Sequence, residues 1–178
     1  IDVTIDPKEK TITFSDNGLG MTKEEVKKYI NQIAFSGAKD FLSKYSGSEK
    51  DTNQIIGHFG LGFYSSFIVS QRVEIRTLSF LNGSKPVNWT CNGDTEFEIT
   101  EGERKQVGTD IILHITDEDN EYLNDYRISN IIVKYCNFLP VPVFVNGTKK
   151  NEENPLWVKR AEEVTEEEYK SFYKKLSR

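Results

Sequence analysis

Apolar residues recur at every second position at the start of the chain: Val3 and Ile5, then Ile12 and Phe14, with Pro7-Lys8-Glu9-Lys10 between the two runs. A period of two puts alternate side chains on one face of a strand, so this stretch predicts a β-hairpin. The second strand runs into Asp16-Asn17-Gly18, a turn sequence. The period then changes. Thr22, with Glu25 three residues later, has the form of a capping box, and Val26, Tyr29, Ile30 and Ile33 follow at helical spacing. This helix is predicted to stop near Phe35-Ser36-Gly37, where glycine is a natural end. Another helical stretch is predicted from Ala38 to Tyr45, followed by a polar loop from Ser46 to Asn53. The whole segment from Asn31 to Gly62 reads as a mobile cover with glycine hinges.

Beyond Ser70 the pattern is that of strands. Val73 to Leu81, Val87 to Cys91, Thr95 to Thr100 and Thr109 to Ile115 are separated by turns at Asn82-Gly83, Asn92-Gly93 and Gly102, which predicts an antiparallel meander. A helix is predicted over Ser129 to Phe138, with Ile131, Ile132, Tyr135, Cys136 and Leu139 on its apolar face and Pro140 and Pro142 ending it. Val143-Phe144-Val145 adds a strand and Asn146-Gly147 a turn. The organisation expected is one domain over 1–147, a polar linker over 148–154, and the start of a second domain over 155–178. Thr165-Glu166-Glu167-Glu168 opens a helix there, carrying Tyr169, Phe172, Tyr173 and Leu176. Regular βαβ alternation is missing. The fold class is therefore α+β, a two-layer sandwich of one mainly antiparallel sheet with helices on one face.

Composition narrows the function classes. With 23 Lys and Arg against 28 Asp and Glu the net charge is −5, which argues against a mainly nucleic-acid-binding surface. No apolar run approaches the roughly 20 residues of a membrane helix. The two cysteines, Cys91 and Cys136, have no partners at metal-ligand spacing and read as reduced thiols, in keeping with a cytoplasmic address. Ile1 to Asp6 reads as a strand already in progress, as expected of a fragment whose natural N-terminus lies further upstream.

The chemistry concentrates in two glycine-rich stretches. Gly57-His58-Phe59-Gly60-Leu61-Gly62 precedes an apolar run and a predicted helix from Leu61 to Val69. Such a loop lets a phosphate approach backbone N–H groups at a helix start. No Lys-Ser/Thr pair follows, so it is not a Walker-type P-loop. His58 has no nucleophile or metal-ligand set at readable spacing and reads as structural. Asp16, ahead of Gly18 and Gly20, either shapes its turn or accepts a hydrogen bond from the exocyclic amino group of adenine. The second glycine stretch favours the adenine role, because the pair suggests one site. Gly18 and Gly20 allow close packing of a base or ribose. Met21 suits an adenine face or a core gap equally well. Thr109, heading an apolar strand, can reach a base directly or through a water.

Asp16-Asn17-Gly18-Leu19-Gly20-Met21-Thr22, Ile33-Ala34-Phe35-Ser36-Gly37 and Gly57 through Ser65, supported by Gly108-Thr109 and Pro155-Leu156-Trp157, give the chain a resemblance. It resembles the ninety-kilodalton heat-shock chaperone family, in its bacterial high-temperature protein G branch. That family shares the Bergerat-type fold of the gyrase, histidine-kinase and mismatch-repair ATPases. The resemblance covers nearly the whole chain and implies ATP binding and slow hydrolysis that drive a clamp cycle on partly folded client proteins, in a homodimer joined by a C-terminal domain. It implies that Asp16 reads adenine with Gly20 and Thr109 assisting through water, that Met21 and Phe63 wall the pocket, and that Gly60, Leu61 and Gly62 face the phosphates of ATP or ADP. The family's general-base Glu and its Mg2+-holding Asn would lie upstream of Ile1, so the fragment is expected not to hydrolyse ATP. Tyr29 and Phe35 stand where the family often has polar residues. The alternatives are a protein-binding module without hydrolysis, or another ATPase of the superfamily such as a histidine kinase or a topoisomerase.

Overall fold

The structure is a computed structural model and describes residues 1–31, 61–94, 96–152 and 155–176. Eight strands form one open sheet in the order β5-β4-β3-β6-β2-β1-β7-β8. They span Asp2–Asp6 (β1), Thr11–Asp16 (β2), Ser70–Leu78 (β3), Val87–Cys91 (β4), Phe97–Glu101 (β5), Gly108–Ile115 (β6), Phe144–Val145 (β7) and Thr148–Lys149 (β8). Every pairing is antiparallel except β1 with β7, where Asp2 lies opposite Phe144 and Val3 opposite Val145. The α+β class holds.

Register explains which face is covered. Val3, Ile5, Ile12, Val73, Ile75, Val87, Trp89, Leu113 and Ile115 occupy one set of alternating positions and form a single core with Val26 and Ile128 and Ile132 from the helices. The helices therefore share one layer, as alternation on a half-covered sheet requires. Thr4, Thr13, Ile112, Glu74, Thr90 and Glu98 line up across the opposite face, polar but for Ile112.

The expected meander holds only for β3-β4-β5. β6 does not pair with β5; it crosses back and inserts between β3 and β2. The physical reason is composition. β6 carries Ile111, Ile112, Leu113 and Ile115 and needs neighbours on both edges, whereas β5 is mostly exposed and ends the sheet.

Helix α1 spans Lys23–Tyr29 and its capping box is complete: Thr22 Oγ1 accepts from the Glu25 N–H, and Glu25 Oε2 accepts from the Thr22 N–H. It stops at Ile30, well short of Gly37. Asn31 there turns its side chain to accept from Trp89 Nε1–H at 2.8 Å. Ile33, Phe35, Gly37 and the predicted helix to Tyr45 lie outside the described residues. Helix α2 spans Asp125–Tyr135, starting four residues before the predicted Ser129. Asn124 caps it, accepting from the N–H groups of Tyr126 and Arg127. Its buried residues are Ile128 and Ile132, and Tyr135 is 71% exposed rather than on the apolar face.

Asn146 (φ 44°) and Gly147 (φ 78°) form the two-residue turn between β7 and β8. Asn151 is buried, accepting from the Val143 N–H and donating to the carbonyls of Leu139 and Val141. Helix α3, Glu166–Leu176, has its own capping box between Thr165 and Glu168. Phe172 on α3 and Trp157 pack with Phe138, just beyond α2, at ring separations of 4.6 to 5.7 Å.

Candidate functional site

Cross-strand register brings distant residues together at one end of the sheet. Asp16 on β2 lies opposite Thr109 on β6, and Thr109 lies opposite Thr77 on β3. Paired residues point to the same face, so this row continues the core-facing rows Ile12-Leu113-Val73 and Phe14-Ile111-Ile75. Two apolar rows thus end in one polar row. Thr77 and Thr109 are buried, and Asp16 at the row's end is half-buried.

The threonines are bonded to each other and to the loop above them. Thr77 Oγ1 lies 3.1 Å from the Gly108 carbonyl and 3.0 Å from Thr109 Oγ1, and it accepts from the Met21 N–H at 2.9 Å. Thr77 has one hydroxyl proton, and the Gly108 carbonyl can only accept it. The Thr109 hydroxyl then donates to Thr77 and keeps lone pairs for a further donor. Asp16 Oδ1 accepts from the Gly18 N–H at 2.8 Å, which fixes the carboxylate. Its other oxygen, Oδ2, has no partner among the described residues.

Two glycines make this geometry possible. Gly20 sits at φ +63°, and a Cβ there would stand 1.9 Å from the Leu78 carbonyl oxygen. Only glycine lets the loop dock this closely on the end of β3, and just beyond that strand the Phe80 N–H donates to the Leu19 carbonyl at 2.8 Å. Gly108, at φ +126°, would place a Cβ 2.2 Å from the Asp16 carbonyl oxygen.

Asp16, Gly20, Met21 and Thr109 are therefore brought together. Phe63 packs over another strand. It lies in a 3₁₀ helix, Gly62–Ile68, where a helix from Leu61 to Val69 is predicted. Its ring packs edge-on against Trp89 of β4 at 5.7 Å, three strands from β2 or roughly 14 Å across the sheet. Leu61 and Gly62 are exposed at the start of that 3₁₀ helix. Gly57, His58 and Gly60 lie outside the described residues. Met21 and Phe63 both pack against the core. Tyr29 ends α1. Tyr64 Oη–H donates to the Ile30 carbonyl at 2.7 Å, and burial raises its pKa.

The sequence reading passes over Thr77 and Arg104. A hydroxyl among the apolar positions of Val73 to Leu78 is the available signal for Thr77. Little in the sequence marks Arg104, because two of its three partners come from the strands β2 and β6. Among the described residues, no group of three or more His, Cys, Asp or Glu could hold a metal ion. No described helix is long and apolar enough to cross a membrane.

The amino-acid sequence has counterparts among known proteins. A family model described as histidine kinase-, DNA gyrase B- and HSP90-like ATPase matches residues 1–113, and a second, described as Hsp90 protein, matches residues 145–178. The chain belongs to the histidine kinase-, DNA gyrase B- and HSP90-like ATPase family. Within it, the chain is similar to the chaperone protein HtpG of Bacteroides fragilis, 50% identical over 181 residues that cover 93% of this chain and 26% of that protein. HtpG of Porphyromonas gingivalis is 42% identical, covering 99% and 28%. The mitochondrial TNF receptor-associated protein 1 homolog of Dictyostelium discoideum is 41% identical, covering 100% and 25%. The chain spans about a quarter of the length of these relatives, at 25 to 28%.

Proposed function

We propose that residues 1–147 are the adenine-nucleotide-binding domain of an ATP-dependent molecular chaperone, with 155–178 opening its next domain and 148–154 connecting the two. Hairpin β7-β8 lays the first part of that connection on the sheet. One observation carries the nucleotide reading: Asp16 closes a core-facing row with one carboxylate oxygen fixed by Gly18 and the other free of described partners. A half-buried acceptor with an unused oxygen suits the exocyclic amine of adenine. Thr109, with lone pairs to spare, would accept from a water on the same base, and Gly20 keeps the loop low enough for the base to reach both. Met21 and Phe63 would contribute apolar walls, and Gly60, Leu61 and Gly62 backbone donors for the phosphates. Bound nucleotide supplies a phosphoanhydride whose cleavage releases free energy. No residue of this chain is assigned as catalytic base or as magnesium ligand.

The wider proposal, drawn from the similarity to HtpG proteins, is a cytoplasmic homodimer that works on partly folded client proteins. Calorimetric titration of ADP with Mg2+ tests the nucleotide reading. Saturable binding with one site per chain, weakened by Asp16→Asn, is expected. Binding that is undiminished in that variant would refute the role of Asp16.

A further inference from the structure

Arg104 makes three contacts in three parts of the fold. One guanidinium nitrogen, Nη1, pairs with Asp110 of β6; Nη2 donates to the backbone carbonyl of Asp16 on β2 at 3.2 Å; and Nε donates to the Gln106 carbonyl in its own loop at 3.0 Å. Its side chain is only 15% exposed.

The direction of this grip is informative. Asp110 points to the polar face of the sheet, opposite to Thr109 and to the Asp16 side chain. Arg104 therefore holds the main chain of Asp16 from behind, while the carboxylate stands on the helix-layer side. Three fixed points bear on that residue: Arg104 on its carbonyl, Gly18 on its Oδ1, and the ladder to Thr109. Gly108 completes the fit, since a Cβ there would stand 2.2 Å from the Asp16 carbonyl oxygen and 3.0 Å from Arg104 Nη2. Arg104 also walls a polar cleft of about 500 Å³ with Arg76, Asn88 and Asp110 on that outer face.

We infer that Arg104 is a positioning residue for adenine recognition: by clamping the Asp16 carbonyl to β6 it sets where Asp16 Oδ2 stands. The inference rests on the nucleotide reading above. A planar guanidinium suits the task because its fork serves Asp110 and Asp16 together, whereas a lysine ammonium reaches one partner well and the other poorly.

The test separates this inference from the reading beneath it. ADP and inosine diphosphate, which lacks the exocyclic amine, are titrated by calorimetry into the wild-type chain and into Arg104→Met, Arg104→Lys, Asp110→Asn and Lys85→Met. The wild type should prefer ADP by about tenfold or more, as loss of a hydrogen bond to a charged acceptor implies. Arg104→Met should lower that preference at least about fivefold while inosine diphosphate affinity moves less than about twofold, because only the amine contact depends on carboxylate placement. Arg104→Lys should fall between, and Lys85→Met, at the exposed Lys85–Glu101 pair, should match wild type. An unchanged preference in Arg104→Met, or equal losses for both nucleotides, overturns the positioning role and leaves the nucleotide reading standing. A wild-type chain that binds neither nucleotide overturns both. Where Arg104→Met shows no cooperative unfolding transition, Asp110→Asn removes the anchor with Arg104 still present, and its preference decides the question.

Discussion

The two faces of the sheet each hold a carboxylate among strands, and they are treated in opposite ways. On the polar face, Glu74 is 7% exposed in its side chain and both its oxygens are engaged: Oε1 with Arg72 at 3.0 Å and His114 at 2.8 Å, Oε2 with Arg76 at 2.9 Å. On the core face, Asp16 has one oxygen engaged, by Gly18, and the other without a described partner. A buried carboxylate whose acceptors are all used is part of the framework, since burial without partners is costly. A carboxylate held rigidly at one oxygen and open at the other is available to a ligand. In the sequence, Asp16 is set apart only by the glycine turn that follows it, and nothing beside Glu74 announces its three partners.

The most severe way to break the contrast is to destroy the Asp16 side. Gly20→Val adds a branched side chain at φ +63°, with its Cβ overlapping the Leu78 carbonyl. The expected loss is about 3 kcal/mol or more in denaturant unfolding, with ADP binding abolished. Next comes Asp16→Asn. It keeps the shape and an acceptor at Oδ1 but removes the charge, so ADP affinity should drop roughly tenfold to a hundredfold with unfolding free energy moved by less than about 0.5 kcal/mol. Glu74→Gln should give the reverse pattern. Stability falls by about 1–2 kcal/mol, because Arg72, Arg76 and His114 lose a charged acceptor while the arginines stay half in water, and ADP affinity is unchanged. A Glu74→Gln variant that loses ADP binding would erase the distinction between the faces.

Low pH weakens the network around Glu74. Burial pushes the Glu74 carboxyl up, but the hydrogen bonds from Arg76 and His114 and the charges of Arg72 and Arg76 outweigh it, so its pKa lies below the ordinary 4.5. A depressed carboxylate stabilises the fold above its unfolded pKa. That contribution is lost as pH falls from about 4.5 through the folded value. Thermal midpoints measured against pH should therefore slope downward below about 4.5 in the wild type and slope less in Glu74→Gln. The smallest effect belongs to Glu168, whose hydrogen bonds from Lys159 and then from the Thr165 N–H and hydroxyl lower its pKa to about 2. The pair it makes with Lys159 lies at the surface, its side chain 39% exposed, so a carboxyl titration by NMR should find the shift while the unfolding midpoint of Glu168→Gln changes little.

Local signals in the sequence were dependable where the physics is local. The β1-β2 hairpin, both capping boxes and the Asn146-Gly147 turn depend on neighbours within a few residues, and all four form. Pairings over long separations were not legible. The place of β6 between β3 and β2 follows from which strands can cover its two edges, and the parallel β1-β7 pair has no turn sequence to announce it. Asn124 and Asp125 carry the start signal of α2, yet apolar spacing alone drew attention to Ser129 onward. The site divides the same way. Asp16 and Gly20 stand out by their turn chemistry. Thr109 opposite Asp16 arises only from register, and Thr77 beneath Met21 and Arg104 behind the carbonyl only from contacts between distant segments.

The parallel pairing of β1 with β7 carries a kinetic consequence. β1 is made well before β7, so one of its edges finds its partner only when Phe144 and Val145 have been made. β2 likewise waits for β6. Closing such distant contacts costs chain entropy before any contact repays it, so the sheet should assemble slowly, in the millisecond-to-second range of high-contact-order domains. Until then two edge strands stand open during synthesis, where they are prone to aggregate.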